Sequence, residues 1–115
     1  FATDRGNPMI WDRYDSLSPA FLKALKYIND ICKRAGVSCS VCGEIAGRPL
    51  EALALVGLGY TSLSMAPSSL GAVKAVIRSM NQAQVEEYLL TQLNSPSPSI
   101  REKLKSYAMD HGIFI

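Results

Sequence analysis

Between Val37 and Cys42 the chain alternates with a period of two, and at Gly43 the alternation stops. Val37, Cys39 and Val41 fall on one face of an extended segment, while Ser38, Ser40 and Cys42 fall on the other. The flanking residues are spaced for helices. Ser18-Pro19 places an N-cap residue ahead of a proline at the first helical position. Phe21, Leu22, Leu25, Ile28 and Cys32 then recur at helical spacing, Lys33 and Arg34 suit a last turn, and Gly36 ends it. After the segment, Leu50, Leu53, Ala54 and Val56 mark a short helix that stops at Gly57-Leu58-Gly59. A strand between two helices reads as a βα-repeat, and barrels of such repeats carry their chemistry at the C-terminal strand ends. Cys42 stands at such an end, which makes it a candidate reactive group.

A second extended segment, Thr61 to Met65, alternates Leu63 and Met65 with Ser62 and Ser64. Ser68 or Ser69 suits the cap of a third helix with the stripe Leu70, Val73, Ile77 and Met80. Asn81 and Gln84 have capping-box spacing ahead of Val85, Tyr88, Leu89 and Leu93. Asn94-Ser95-Pro96-Ser97-Pro98 is a linker, and Ser99 with Glu102 forms a second box before Ile100, Leu104, Tyr107 and Ala108, closing near Gly112. Two strands alone make a poor sheet. The pattern therefore predicts an α/β chain: the last βα-repeats of a TIM (β/α)8 barrel followed by C-terminal helices, an incomplete barrel fragment over residues 1–115. The first residue is Phe1 rather than Met, which fits a piece of a longer protein. Strands and apolar stripes cut off from the rest of a barrel are expected to drive self-association into a dimer or larger assembly.

Composition narrows the function. With 48% apolar residues and a net charge of +2, the chain suits one small globular unit. Its longest basic cluster is Lys33-Arg34, so the electrostatic footprint of a nucleic-acid binder is missing. Leu50 to Tyr60, the longest apolar-rich stretch, is too short to span a bilayer, and no membrane association is expected. Phe1-Ala2-Thr3-Asp4-Arg5 lacks a signal-peptide layout, and three cysteines, an odd number, fit a reducing compartment. The expected location is cytoplasmic.

Read residue by residue, several of these candidates have plainer alternatives. A single cysteine such as Cys42 is as readily a small buried hydrophobe as a reactive thiol. Cys39 and Cys42 spell Cys-x-x-Cys, yet residues three apart on a strand face opposite ways, and no second Cys/His pair completes a zinc site. Cys32 lies on an apolar helical stripe and reads as core. Arg5, taken alone, is a solvated charge. Glu44 is either a helix-entry acid or a carboxylate that orients the thiol loop. The Ser68-Ser69 helix start suits an anion or ordinary capping equally.

Cys42-Gly43-Glu44-Ile45-Ala46-Gly47, then Gly57-Leu58-Gly59-Tyr60 and Leu63-Ser64-Met65, resembles the C-terminal end of Enzyme I of the bacterial sugar phosphotransferase system. Asp4-Arg5-Gly6-Asn7 and Ser18-Pro19 extend the resemblance over nearly the whole chain. The Gly-Leu-Gly-Tyr and Leu-Ser-Met wording looks closest to the nitrogen-related paralogue, so either the sugar-transport or the nitrogen-regulation branch is implied. The resemblance implies a barrel that binds phosphoenolpyruvate with a magnesium ion. It would pass the phosphoryl group to an enzyme histidine and on to an HPr-like phosphocarrier. The family's proton-transferring cysteine falls on Cys42, acting as donor to enolpyruvate and acceptor in reverse, and its phosphate-binding arginine falls on Arg5. The magnesium ligands and the phosphorylated histidine fall outside the chain, so the isolated chain is expected to be inactive. Arg48 departs from the acidic residue that family members often carry after Ala-Gly. Two other readings stand beside this one: a barrel fragment of a pyruvate phosphate dikinase or phosphoenolpyruvate synthase, and a non-catalytic dimerisation module.

Overall fold

The computed structural model describes residues 6–9 and 15–115. Among the described residues five α-helices form in the expected order: α1 Pro19–Ala35, α2 Pro49–Gly57, α3 Leu70–Ser79, α4 Gln82–Gln92 and α5 Arg101–Asp110. The start and stop signals of α1 act as read. Ser18 Oγ accepts from the Phe21 N–H at 3.2 Å, and Gly36 closes the helix with left-handed backbone, φ 69°. Asn81 caps α4 by accepting from the Gln84 N–H at 3.1 Å.

Two caps differ from expectation. Ser69 makes no side-chain cap, because a 3-10 turn over Pro67–Ser69 leads into α3 instead. At α5, Ser99 Oγ accepts from the Arg101 N–H at 3.1 Å, so the bond falls one residue short of the predicted box.

The expected strands are the main correction. Among the described residues the segments Val37–Cys42 and Thr61–Met65 meet at one parallel bridge, Val41 with Leu63, and the described chain is predominantly helical. Val41 N–H donates to Ser62 O at 3.1 Å and Ser64 N–H to Val41 O at 2.8 Å. A parallel pair with no neighbour on either side has few ladder bonds to hold it, so pairing shrinks to the residues the core clamps. The predicted alternation survives locally: Cys39, Val41 and Leu63 pack against the core, while Ser38, Ser40, Cys42, Ser62 and Ser64 are exposed. Val37, although apolar, is exposed.

α2 is the centre of the structure. It is apolar around its circumference except for Glu51, and a helix of that kind must be covered on all sides. It packs against α3 and α4, and less extensively against α5. Leu53, Leu55, Val76, Val85, Leu89, Ile100 and Leu104 fill the shared core. Ile100 N–H donates to Leu17 O at 2.9 Å, which ties the start of α5 to the entry of α1. On α1 the inward positions are Leu22 and Asn29. Ile28, placed on the stripe by spacing, is exposed.

Candidate active site

The parallel bridge fixes where the thiol goes. With Val41 held between Ser62 and Ser64 and turned to the core, the next residue must emerge at the end of the pair on the opposite side. Cys42 is there, and it is exposed. Gly43 follows with φ 89° and ψ −168°, backbone that an L side chain rarely adopts, so the turn directly after the thiol requires glycine. A 3-10 turn over Glu44–Gly47 then drops Ala46 into the interior, fully buried, and α2 starts at Pro49.

This turn sits directly on the loop after the second extended segment. A Cβ at Gly47 would lie 2.9 Å from Ser69 Oγ and 3.4 Å from Met65 Cβ, so glycine permits a close approach there. The loops that follow the two segments therefore share one end of the structure, with Cys42 at their border. That is the arrangement expected of adjacent repeats whose C-terminal strand ends build a common site.

Glu44 and Arg48 form an exposed ion pair at 3.3 Å, one helical turn apart. The positive charge at Arg48, where an acid was expected from the resemblance, is met locally by the carboxylate read as a loop-orienting group. Arg5 lies outside the described residues. Among the described residues no three His, Cys, Asp or Glu side chains come together to hold a metal ion.

Sequence reasoning missed what holds α2 in place beneath the thiol turn. Glu51, in its first turn, is almost fully buried and accepts from Arg101 at 2.6 Å and from the Ser16 hydroxyl at 3.2 Å. Arg101 also reaches Asp15 Oδ1 at 3.1 Å. Burial alone would raise the Asp15 carboxyl, but hydrogen bonds from Ser99, the Leu17 N–H and Arg101 outweigh it and hold its pKa below the usual value. The available signal was a lone acid inside the apolar run Pro49–Gly57.

Residues 1–82 match the model of one family, described as PEP-utilising enzyme, PEP-binding domain. The chain belongs to this family. The match covers both extended segments, the Cys42 turn and α1 to α3, and it ends at the first residue of α4. The chain is 43% identical over 96 residues to a phosphoenolpyruvate-protein phosphotransferase of Borreliella burgdorferi, covering 84% of this chain and 17% of that protein. It is 33% identical over 113 residues to a phosphoenolpyruvate-dependent phosphotransferase system protein of Escherichia coli, covering 97% of this chain and 15% of that protein. A phosphoenolpyruvate synthase of Pyrococcus furiosus is 38% identical over 76 residues, 66% of this chain and 9% of that protein. The chain thus spans less than a fifth of these family members' lengths. No helix among the described residues is long and apolar enough to cross a membrane.

Proposed function

We infer that the chain is the C-terminal part of the phosphoenolpyruvate-binding TIM barrel of an Enzyme I-type phosphoenolpyruvate–protein phosphotransferase. One observation carries this reading. Cys42, in the stretch that carries the resemblance, is exposed directly after the parallel bridge of Val41 with Leu63, and the turn it opens packs at Gly47 against Met65 and Ser69. The membership of residues 1–82 in a PEP-binding family supports it, as do phosphotransferase-system relatives that cover up to 97% of the chain.

In the intact enzyme, phosphoryl leaves phosphoenolpyruvate for a histidine, and the released enolpyruvate needs a proton at its methylene carbon. Cys42 holds that proton on Sγ. Its S–H bond breaks as the C–H bond of the pyruvate methyl forms, and the thiolate regains a proton from solvent. In reverse, the thiolate removes the methyl proton and pyruvate returns to the enolate. Arg5 would bind the phosphoryl oxygens bidentately and offset their charge. Glu44, through its pair with Arg48, would fix the turn that aims the thiol. Magnesium would draw its ligands from outside the described residues. The downstream acceptor is an HPr-like phosphocarrier, the enzyme is cytoplasmic, and the Gly57-Leu58-Gly59-Tyr60 wording favours the nitrogen branch over sugar transport.

The synthase relative keeps a second reading open, in which the same proton transfer serves a phosphoenolpyruvate synthase. The two separate on the phosphoryl acceptor. The longer enzyme carrying this segment, given phosphoenolpyruvate labelled in its phosphate, should place the label on a small carrier protein when that is added. Transfer that requires AMP and phosphate and ignores the carrier would favour the synthase.

A further inference from the structure

Helix α1 carries two apolar faces. One is turned inward, as the burial of Leu22 and Asn29 shows. Asn29 Nδ2 donates to Leu58 O at 3.4 Å, and the Tyr60 hydroxyl donates to Leu25 O at 2.7 Å, so this side is held against the Leu58–Tyr60 corner. The other face is built from Ala20, Ala24, Tyr27 and Ile31, at steps of four, three and four. That repeat keeps a seam on one side of a helix over its whole length, and it is the repeat by which two helices pair. Tyr27 keeps 65% of its exposure and Ile31 39%, and Ile28 beside them keeps 49%. Ala20 is exposed as well, and Ala24 is half-buried. Large apolar side chains exposed in a row, rather than singly, mark a surface made for a partner.

We propose that this seam is an interface between two copies of the chain, their α1 helices antiparallel about a two-fold axis. The order of residues along the seam selects the occupant. In an antiparallel pair Ala20 meets Ile31 of the second copy and Ala24 meets Tyr27, and symmetry repeats each contact. All four layers then set an alanine against a large side chain. In a parallel pair each residue would meet itself. Tyr27 on Tyr27 would hold the helices apart, and the two alanine layers would be left with gaps. The flanks agree with the antiparallel register. On one side it brings Lys23 opposite Asp30 of the second copy, and on the other it brings Phe21 opposite Ile28. Asp30 already holds Lys26 of its own helix at 3.0 Å, yet its side chain keeps 44% of its exposure and is open to a second cation. A foreign helix would have to reproduce this mirrored order, whereas a second copy supplies it by symmetry. The seam is separate from the open groove lined by Leu63, Met65, Leu70 and Ile77, and the proposal does not depend on the phosphotransferase reading.

The test is zero-length carbodiimide cross-linking of an equal mixture of the chain in natural and heavy-nitrogen form, followed by peptide mapping. The expected product is an amide between Lys23 and Asp30 that joins a light peptide to a heavy one. Within one helix these residues stand roughly 10 Å apart along the axis, too far for a direct amide, so the link reports the second copy. Tyr27→Glu, at an exposed position, should abolish the link while leaving the helical signal in circular dichroism unchanged. Lys23→Glu and Asp30→Lys, each alone, should weaken self-association in sedimentation roughly tenfold, because like charges then face each other. An equal mixture of those two variants should recover it, since each supplies the charge that the other lacks. Absence of the mixed-isotope Lys23–Asp30 link would overturn the proposal. So would its persistence in Tyr27→Glu, links between chains confined to Lys74 and Glu86 of the groove, or charge variants that associate no better mixed than apart.

Discussion

Arg101 donates to Glu51 at 2.6 Å from one helix to another, and the carboxylate it meets keeps only 4% of its side-chain exposure. Glu51 stands in the first turn of α2, directly after the turn that follows Cys42. The pair, with Asp15 and Ser16, joins α5, α2 and the entry to α1. Removing Arg101 leaves a buried carboxylate whose remaining hydrogen-bond partner among the described residues is the Ser16 hydroxyl.

Arg101→Ala is therefore expected to destabilise the chain by ~2–3 kcal/mol, below the range for a fully buried pair because Arg101 is partly solvated. Adding Glu51→Leu should restore much of the loss, since the buried charge goes as well. Urea unfolding of the two variants checks this. A double variant no more stable than Arg101→Ala would mean that the pair acts through packing rather than charge.

Alkaline pH should unfold the protein through Tyr60. Burial, followed by the neighbouring Cys39 and Cys32, pushes its phenol up to about 12. A group raised on folding stabilises fully below its unfolded value, about 10 for tyrosine, and that contribution is lost as pH climbs through the folded value. Stability is expected to fall by on the order of 2 kcal/mol between these limits. Unfolding curves at pH 8, 10 and 11.5 (about the span in question) measure it. In Tyr60→Phe the slope should flatten, although the variant starts less stable for want of the bond to Leu25 O.

Gly57 ends α2 where α4 crosses it. A Cβ there would lie 2.5 Å from Val85 Cγ1 and 2.6 Å from Leu89 Cδ1, both in buried residues with little room to retreat. Gly57→Ala should cost ~1–3 kcal/mol by overpacking, despite alanine's better helix propensity. A thermal midpoint at or above that of the parent chain would show that α4 yields instead.

The helices were legible because their signals are local. The Ser18-Pro19 start, the Gly36 stop and the Asn81 cap depend on residues within a turn of one another, and each formed as read. The strands were legible only as a two-faced pattern. Cys39, Val41 and Leu63 turned inward as the alternation required, but a ladder needs neighbours that these residues do not supply. At the site, the position of Cys42 followed from the period of two and the Gly43 break. The Arg101–Glu51 contact joins residues fifty apart, which no periodicity reports. The stripe Leu70, Val73 and Ile77 misled in part, since Val73 and Val76 are buried while Leu70 and Ile77 are exposed.

That exposure leads to a prediction about assembly. Leu63, Met65, Leu70, Val73 and Ile77 line an open groove of about 680 Å³ that Cys42 does not border. In a whole barrel this side would carry the next repeat. The isolated chain is expected to cover it by self-association, through an interface of roughly 1,600 Å². Sedimentation at micromolar concentration should show a dimer or larger species, against the 12.5 kDa of one chain. A single monomeric species would contradict the prediction.

Proton transfer by the Cys42 thiol is tested most directly by a single variant. In the longer enzyme carrying this segment, pyruvate release from phosphoenolpyruvate should be compared between the natural protein and Cys42→Ala, with substrate affinity measured alongside. Loss of a general acid–base group predicts a fall of ~10²–10⁴-fold in rate, with affinity for phosphoenolpyruvate largely kept. Near-normal turnover in Cys42→Ala would contradict the account and remove this cysteine from the mechanism.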